Sequence, residues 1–248
     1  MKYQKGLVSC IVPVFNGEKY IREALDSILG QTYRRLEPIV ADDGSTDNTG
    51  VVVSSYGPRI RYLRQRNAGV AAARNLGLAA AQGEFVAFLD ADDLWHEEKL
   101  ERQIACFERD PNLDYCVTHV QNFWEQELQD EAGRFQDHRR SRPLPGYTTL
   151  TLLSRRTLFD RIGAFDASLR HTDDTDWFLR ARRNGAAELL LPDVLAFRRL
   201  HRTNVSRVCS DRSLGEYLQL IKKNLDRRRE DKALQRNETD WIAPVAGG

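Results

Sequence analysis

Apolar residues recur along the first hundred positions in two alternating rhythms. Residues 7–14, 36–41, 60–63 and 84–89 are short apolar runs with the length and composition of buried strands. Residues 18–29 place Tyr20, Ile21, Ala24, Leu25, Ile28 and Leu29 at the spacing of one helix face. Residues 46–55, the alanine-rich stretch 69–81 with Leu76 and Leu78, and residues 97–107 read as three more helices. Strands alternating with helices predict an α/β fold, with a Rossmann-like, mostly parallel sheet flanked by helices.

The second half is less regular. Residues 113–119 and 187–191 read as strands, 175–184 as a helix, and 152–160 as a strand end running into a helix. Residues 122–145 are polar and rich in turn formers, the signature of an insertion or mobile loop. Phe123, Trp124, Phe135 and Tyr147 would let such a loop stack on a ligand as a lid, or else it is simply a solvated loop. Near the end, Ser213-Leu214-Gly215-Glu216 has the form of a capping box. Leu214, Tyr217, Leu218, Ile221 and Leu225 then draw an amphipathic stripe, followed by a charged tail.

Composition narrows the class. The chain has 248 residues, 41% hydrophobic and 29% charged, enough to bury a core. A formal net charge of +1 argues against bulk binding of nucleic acid. The four cysteines, Cys10, Cys106, Cys116 and Cys209, have no metal-type spacing and suit a reducing, cytoplasmic compartment. Lys2 and Lys5 precede an apolar run, but Pro13 interrupts it and no small-residue cleavage site follows, so a first buried strand is expected there. No apolar stretch reaches the ~20 residues that span a bilayer. The basic terminal helix suggests at most a weak peripheral contact with the inner face of a membrane.

Candidate chemistry sits at strand ends. The run 85–89 ends in Asp90-Ala91-Asp92-Asp93, and the run 36–41 ends in Asp42-Asp43-Gly44-Ser45. If the strands are parallel, both acidic ends share one sheet edge, where open α/β sheets hold ligands. Concentrated carboxylates demand a cation or donors. The Asp90–Asp93 turn therefore has two readings: a site for Mg²⁺ or Mn²⁺ shared with substrate phosphates, or an acidic turn capping a helix. At Asp42–Asp47 one aspartate is free to accept from a base or ribose, or the segment is only a capped turn. Asp173, Asp174 and Asp176 can equally be the solvated first turn of a helix, favoured there by its dipole. Arg155, Arg156, Arg198, Arg199 and Arg202 are cations that can meet an anionic donor or acceptor.

These segments together resemble the family two, GT-A fold glycosyltransferases. The resemblance rests on Val8–Asn16, Ser27–Tyr33, Asp42–Asp47, Asn67–Asn75 and Gly83–Asp93. It continues through Gly163-Ala164-Phe165-Asp166, Asp173–Trp177 and Arg198–His201. It implies a glycosyltransferase domain over residues 1–208, with a nucleotide-sugar half (1–110) and an acceptor half (111–208), followed by a helix and tail (209–248). Pro13, Phe15 and Asp43 would frame the nucleotide base. Arg74 would lie near the donor phosphates or sugar. Asp90, Ala91 and Asp92 match the D-x-D tripeptide on the donor. Asp92 and His201 would approach Mn²⁺ or Mg²⁺, and Asp174 matches the general base. The implied reaction moves a sugar from a nucleotide sugar, UDP-linked first, to an acceptor hydroxyl with inversion. Asp173 stands where the family has Glu, which leaves Asp173, Asp174 and Asp176 all as candidates for the base. The Q-x-x-R-W signature of processive synthases is missing, since Arg140 follows Gln136-Asp137-His138-Arg139, so one sugar per encounter is expected. Two other readings stand beside this one: an aspartyl-nucleophile phosphoryl transferase, for which Leu94 is out of place, and a non-catalytic nucleotide-sugar binder.

Overall fold

The computed structural model describes residues 2–135, 138–204, 214–222 and 225–226. Four strands open the fold: β1 (Gln4–Val14), β2 (Leu36–Asp42), β3 (Arg61–Arg64) and β4 (Gly83–Phe88). They lie in the order β3-β2-β1-β4 and all pair in parallel. The helices between them are α1 (Ile21–Leu29), α2 (Thr49–Ser54) and α3 (Val70–Ala80). The rhythm of the first hundred residues therefore holds, with α1 and α2 each starting about one turn later than their apolar patterns begin.

The continuous apolar run of β1 follows from cover on both faces. Val8, Cys10, Val12 and Val14 join one core with Ile21, Ala24, Leu25 and Ile28 of α1. Ile11 points into a second core with Ala71 and Leu78 of α3. Gly77 of α3 is forced by this packing, because a Cβ there would stand 2.4 Å from Ile11 Cγ2. The small residues of α3 thus let it sit close on the sheet, and this sets the depth at which Arg74 is held.

The second half adds β5 (Leu94–Trp95), α4 (Lys99–Arg109), β6 (Tyr115–Trp124), α5 (Gln129–Arg134) and β7 (Leu144–Pro145). It continues with β8 (Leu153–Arg155), α6 (Arg156–Ile162), α7 (Asp173–Arg183) and β9 (Glu188–Leu200). The sheet continues β4-β8-β6-β9-β5. Here β8 runs antiparallel to both β4 and β6, β5 runs antiparallel to β9, and β6 and β9 are parallel. The sheet is mixed, and its all-parallel part is confined to the half where helical crossovers return each strand to the same edge.

Two expectations are corrected, and a third falls partly outside the described residues. Residues 122–145 are not a structureless loop: residues 122–124 complete β6, α5 follows, and β7 pairs back on β6. The last strand does not stop at Leu191. Pro192 and Asp193 break the apolar pattern, but they lie in a bulge, and pairing with β6 resumes at Val194 and runs to Leu200. A helix covers residues 214–222, and the expected capping box involves Ser213, which lies outside the described residues. The Glu216 carboxylate accepts bonds from the segment before α7. Ser213, Cys209 and the tail after Asp226 lie outside the described residues. Trp177 is fully buried core, stacked on Phe159, and the described cysteines are buried free thiols. No helix among the described residues is long and apolar enough to cross a membrane.

Lys99, at the start of α4, is completely buried. Its Nζ donates to Gln103 Oε1 at 2.8 Å and lies 4.3 Å from the centre of the Trp95 ring. Burial pulls its pKa down to about 7. The Cys10 and Cys116 thiols are themselves pushed up to about 12 by burial, so they do not titrate near neutrality. Between pH 7 and pH 8.5 the unfolded chain keeps this lysine protonated while the folded chain releases the proton. Folding stability should therefore rise with pH across that window by about 1–2 kcal/mol on this account. Lys99→Met should flatten the rise, as read by urea unfolding at several pH values.

Candidate active site

Parallel pairing aligns the acidic strand ends. Val14 of β1 lies opposite Asp42 of β2, the Asp43 amide donates to Val14 O at 2.8 Å, and the Leu89 amide donates to Ile11 O at 3.0 Å. Asp42–Asp43 and Asp90–Asp93 therefore leave the sheet at one edge, as the parallel pattern requires.

Arg74 is the hub. It is 6% exposed, yet its guanidinium donates to Asp90 Oδ1 (2.9 Å) and to Asp173 Oδ2 (2.7 Å). One side chain of α3 thereby joins the end of β4 to the start of α7. Of the three acidic residues opening α7, Asp173 is buried and bound to Arg74, and Asp176 is bound to Arg180 Nε at 2.7 Å. Asp174 is partly exposed and, among the described residues, makes no direct ion pair; it accepts from the amide and hydroxyl of the adjacent Thr175. Burial pushes its pKa up to about 6, with Arg74 pulling down and Asp173 and Asp90 pushing up.

A second cluster surrounds Asp92. Its Oδ2 meets His201 Nε2 at 2.9 Å and accepts from Asn204 Nδ2 at 3.2 Å. His201 is buried, packs against Tyr20, and its Nδ1 lies 2.9 Å from Thr203 Oγ1. Arg199 holds the Asp90–Asp93 turn from behind: Nε donates to the Asp92 carbonyl at 2.8 Å, while its amide donates to Asp93 Oδ1 at 2.8 Å. Asp93 is buried and tied to β9. Burial, with Asp92 and Asp90 beside it, holds its pKa well above the usual carboxylate range, against the pull of that amide. Glu23 and Glu125 bind the guanidinium of Arg199, and Tyr20 and Phe123 flank it.

Asp43 is buried. Its carboxylate accepts from Gln65 Nε2 (2.7 Å), the Ala68 amide (2.9 Å) and the Gly69 amide (2.8 Å). Three of its roughly four acceptor positions are therefore committed to the turn that starts α3. Gly44 beside it has φ +86°, and a Cβ there would lie 3.0 Å from the Asn67 amide nitrogen. Pro13 is buried in β1, whereas Phe15 beyond it is 51% exposed at the sheet edge. Ala91 is half-buried in the turn between Asp90 and Asp92.

Several of the arginines considered for anions are already committed: Arg155 binds Glu84 at 2.9 Å, Arg156 pairs with Asp160 at 3.6 Å, and Arg199 is internal. Sequence patterns did not pick out Asn204, Tyr20, Glu23 or Glu125. Only Asn204 had a local signal, as a turn residue three positions after His201. The other three are brought to the site by tertiary contacts alone.

The profile described as Glycosyl transferase family 2 matches residues 9–175 of this chain. The chain belongs to that family. An uncharacterized glycosyltransferase of Rickettsia typhi is 39% identical over 183 residues, which is 69% of this chain and 58% of the relative. The chain therefore spans less than two thirds of that relative. The glycosyltransferase GlyA of Streptococcus pneumoniae is 44% identical over 110 residues, 42% of this chain and 16% of that protein. Among solved structures, S. aureus TarS 1-349 in complex with UDP-GlcNAc superposes with a TM-score of 0.67 at 24% identity, covering 80% of this chain and 60% of that one. The mannosyltransferase PcManGT of Pyrobaculum calidifontis, in complex with GDP-Man and Mn²⁺, also gives 0.67 at 24% identity, covering 88% and 64%. These likenesses identify the fold as GT-A.

Members of such a fold raise the question of a metal. Among the described residues no three His, Cys, Asp or Glu side chains are arranged to hold one alone. Magnesium sites at phosphates need only one or two protein ligands, with phosphate and water completing the octahedron. Asp92 and His201, which stand 2.9 Å apart, offer a carboxylate oxygen and an imidazole nitrogen, donor chemistry compatible with such a shared divalent ion.

Removing the hub should be costly. Arg74→Met leaves Asp173 buried without its cation, and the expected loss is about 3–5 kcal/mol of folding stability in denaturant melts. Arg74→Lys keeps a charge but not the planar fork, and should recover only part of it.

Proposed function

We propose that the protein is a metal-dependent, inverting, non-processive glycosyltransferase that moves a sugar from a nucleotide sugar, UDP-linked first, to an acceptor hydroxyl. The observation that carries this reading is the Arg74 bridge. That guanidinium bonds Asp90 and Asp173, the residue before Asp174, whose pKa is lifted to about 6, and this supports Asp174 acting close to the donor end of the site.

In this reading Phe15 and Pro13 line the side of the nucleotide base, and Asp43 fixes the 65–69 turn beneath it. Asp90, Ala91 and Asp92 meet the ribose and diphosphate, and Arg74 keeps Asp90 oriented. Asp92 and His201 would hold Mn²⁺ or Mg²⁺, which when bound supplies positive charge to the diphosphate leaving group. Asp174 accepts the proton of the acceptor hydroxyl, which is a poor nucleophile until that proton is drawn off. A pKa of about 6 suits the task, because the group is ionised at neutral pH yet basic enough to take a proton. Attack from the Asp174 side, with the leaving group on the opposite face, inverts the sugar carbon, as opposite-face attack does in inverting glycosidases. Leu214, Leu218 and Leu225, exposed on the terminal helix, support a weak peripheral contact with a membrane surface.

The test is release of nucleoside diphosphate from UDP-GlcNAc, GDP-mannose and related donors with Mn²⁺ or Mg²⁺. Turnover should require the cation and fall by at least about 100-fold in Asp174→Asn, by the usual worth of a general base. The base works only when ionised, so kcat should rise with pH through about 6 and level off above it. Metal-independent turnover, or an Asp174→Asn enzyme as fast as wild type, would refute the assignment.

A further inference from the structure

The terminal helix meets the body of the protein at one point that has chemical meaning. The Glu216 carboxylate accepts bonds from three consecutive amides: Arg170 (3.1 and 3.2 Å to its two oxygens), His171 (3.0 Å) and Thr172 (3.0 Å). The Thr172 hydroxyl donates to it as well, at 2.7 Å. These donors hold the Glu216 carboxyl below its ordinary range, against the opposing effect of burial. Thr172 is the residue that caps α7, and no side-chain bond closes that cap from within the helix. Asp173, bound to Arg74, and Asp174 follow directly. The start of α7 is thus gripped from two sides, by Arg74 on the sheet side and by Glu216 on the other. One turn beyond Glu216, Leu220 is buried and anchors the same face of the helix, while Leu214 and Leu218 stay exposed. The helix lies outside residues 9–175, the span shared with the family profile.

We infer that Glu216 is a positioning residue for the reaction: by clamping residues 170–172 it fixes where Asp174 stands relative to the donor carboxylates. This inference rests on the assignment of Asp174 as the base. Three amides and a hydroxyl left without their acceptor would let the segment shift, because among the described residues the Glu216 carboxylate is the acceptor for all three amides. A base displaced by about 1 Å loses roughly 100-fold in rate without any change in the groups that bind the donor. The signature is therefore a fall in kcat with donor KM preserved.

The experiment uses the full chain with UDP-GlcNAc or GDP-mannose and Mn²⁺, comparing wild type, Glu216→Ala, Glu216→Gln, Thr172→Val and Asp174→Asn. Amide hydrogen exchange is followed at residues 170–172 and diphosphate release is measured alongside. Glu216→Ala should speed exchange at those amides and lower kcat by about 10- to 100-fold, with donor KM within about twofold. Glu216→Gln keeps one acceptor oxygen and should fall between Glu216→Ala and wild type. Thr172→Val should give a smaller loss of the same kind. Unchanged exchange in Glu216→Ala overturns the clamp, and faster exchange with unchanged kcat overturns the positioning role. If Asp174→Asn is slow while Glu216→Ala is as fast as wild type, this inference falls and the assignment of Asp174 survives. If Asp174→Asn is fast, or wild type turns over neither donor, the assignment falls first and takes this inference with it.

Discussion

A single buried guanidinium governs the geometry of the candidate site. Arg74 is taken out of water in α3, and such a charge is tolerable only with counter-charges at close range. It finds them in Asp90 and Asp173, which belong to elements far apart in sequence. Satisfying Arg74 therefore locks the end of β4 to the start of α7. The electrostatic demand of one residue fixes the distance between the carboxylates assigned to the donor and the carboxyl assigned to the acceptor. That α3 lies close enough for this depends on Gly77 and its alanines, so sheet–helix packing and site geometry are one problem.

The Asp90–Asp93 turn receives a second, independent support. Arg199 donates to the turn from β9, and its own charge is answered by Glu23 of α1 and Glu125 beyond β6. This leaves Asp90 and Asp92 as the outward-facing members of the turn, while Asp93 is spent on holding the backbone. Three carboxylates that look equivalent in sequence thus have separate tasks because their neighbours differ. The same division appears at the start of α7, where Arg74 and Arg180 bond Asp173 and Asp176, while Asp174 feels Arg74 only at longer range and makes no ion pair among the described residues.

Much of this was legible beforehand. Strand ends with Asp42-Asp43 and Asp90–Asp93 had to share an edge once βα alternation made the strands parallel, and they do. The carboxylates of α7 were singled out as a group, but their individual roles were not legible, since those depend on which arginines arrive from elsewhere. Periodicity failed where tertiary contacts override it. β9 continues through Pro192 and two arginines because β6 offers it a pairing partner, and residues 122–124 are strand for the same reason. Glu216 reads in sequence as half of a local capping box, yet its carboxylate also binds residues more than forty positions earlier, and no short-range pattern carries that information.

The bulge in β9 has a topological effect on the residues that follow it. Between Thr118 and Val120 the partner strand advances two positions, while β9 advances five, from Leu191 to Ala196. Three surplus residues are an odd number, so the alternation of side chains beyond the bulge is reversed relative to an uninterrupted strand. The face on which Arg199 reaches the acidic turn is set by that parity. Losing or gaining one amino acid around Pro192 would turn the last part of the strand inside out, whereas a paired change of two would preserve its facing. A segment that looks like a tolerant surface kink is thereby as restrictive toward single-residue length variation as the core itself.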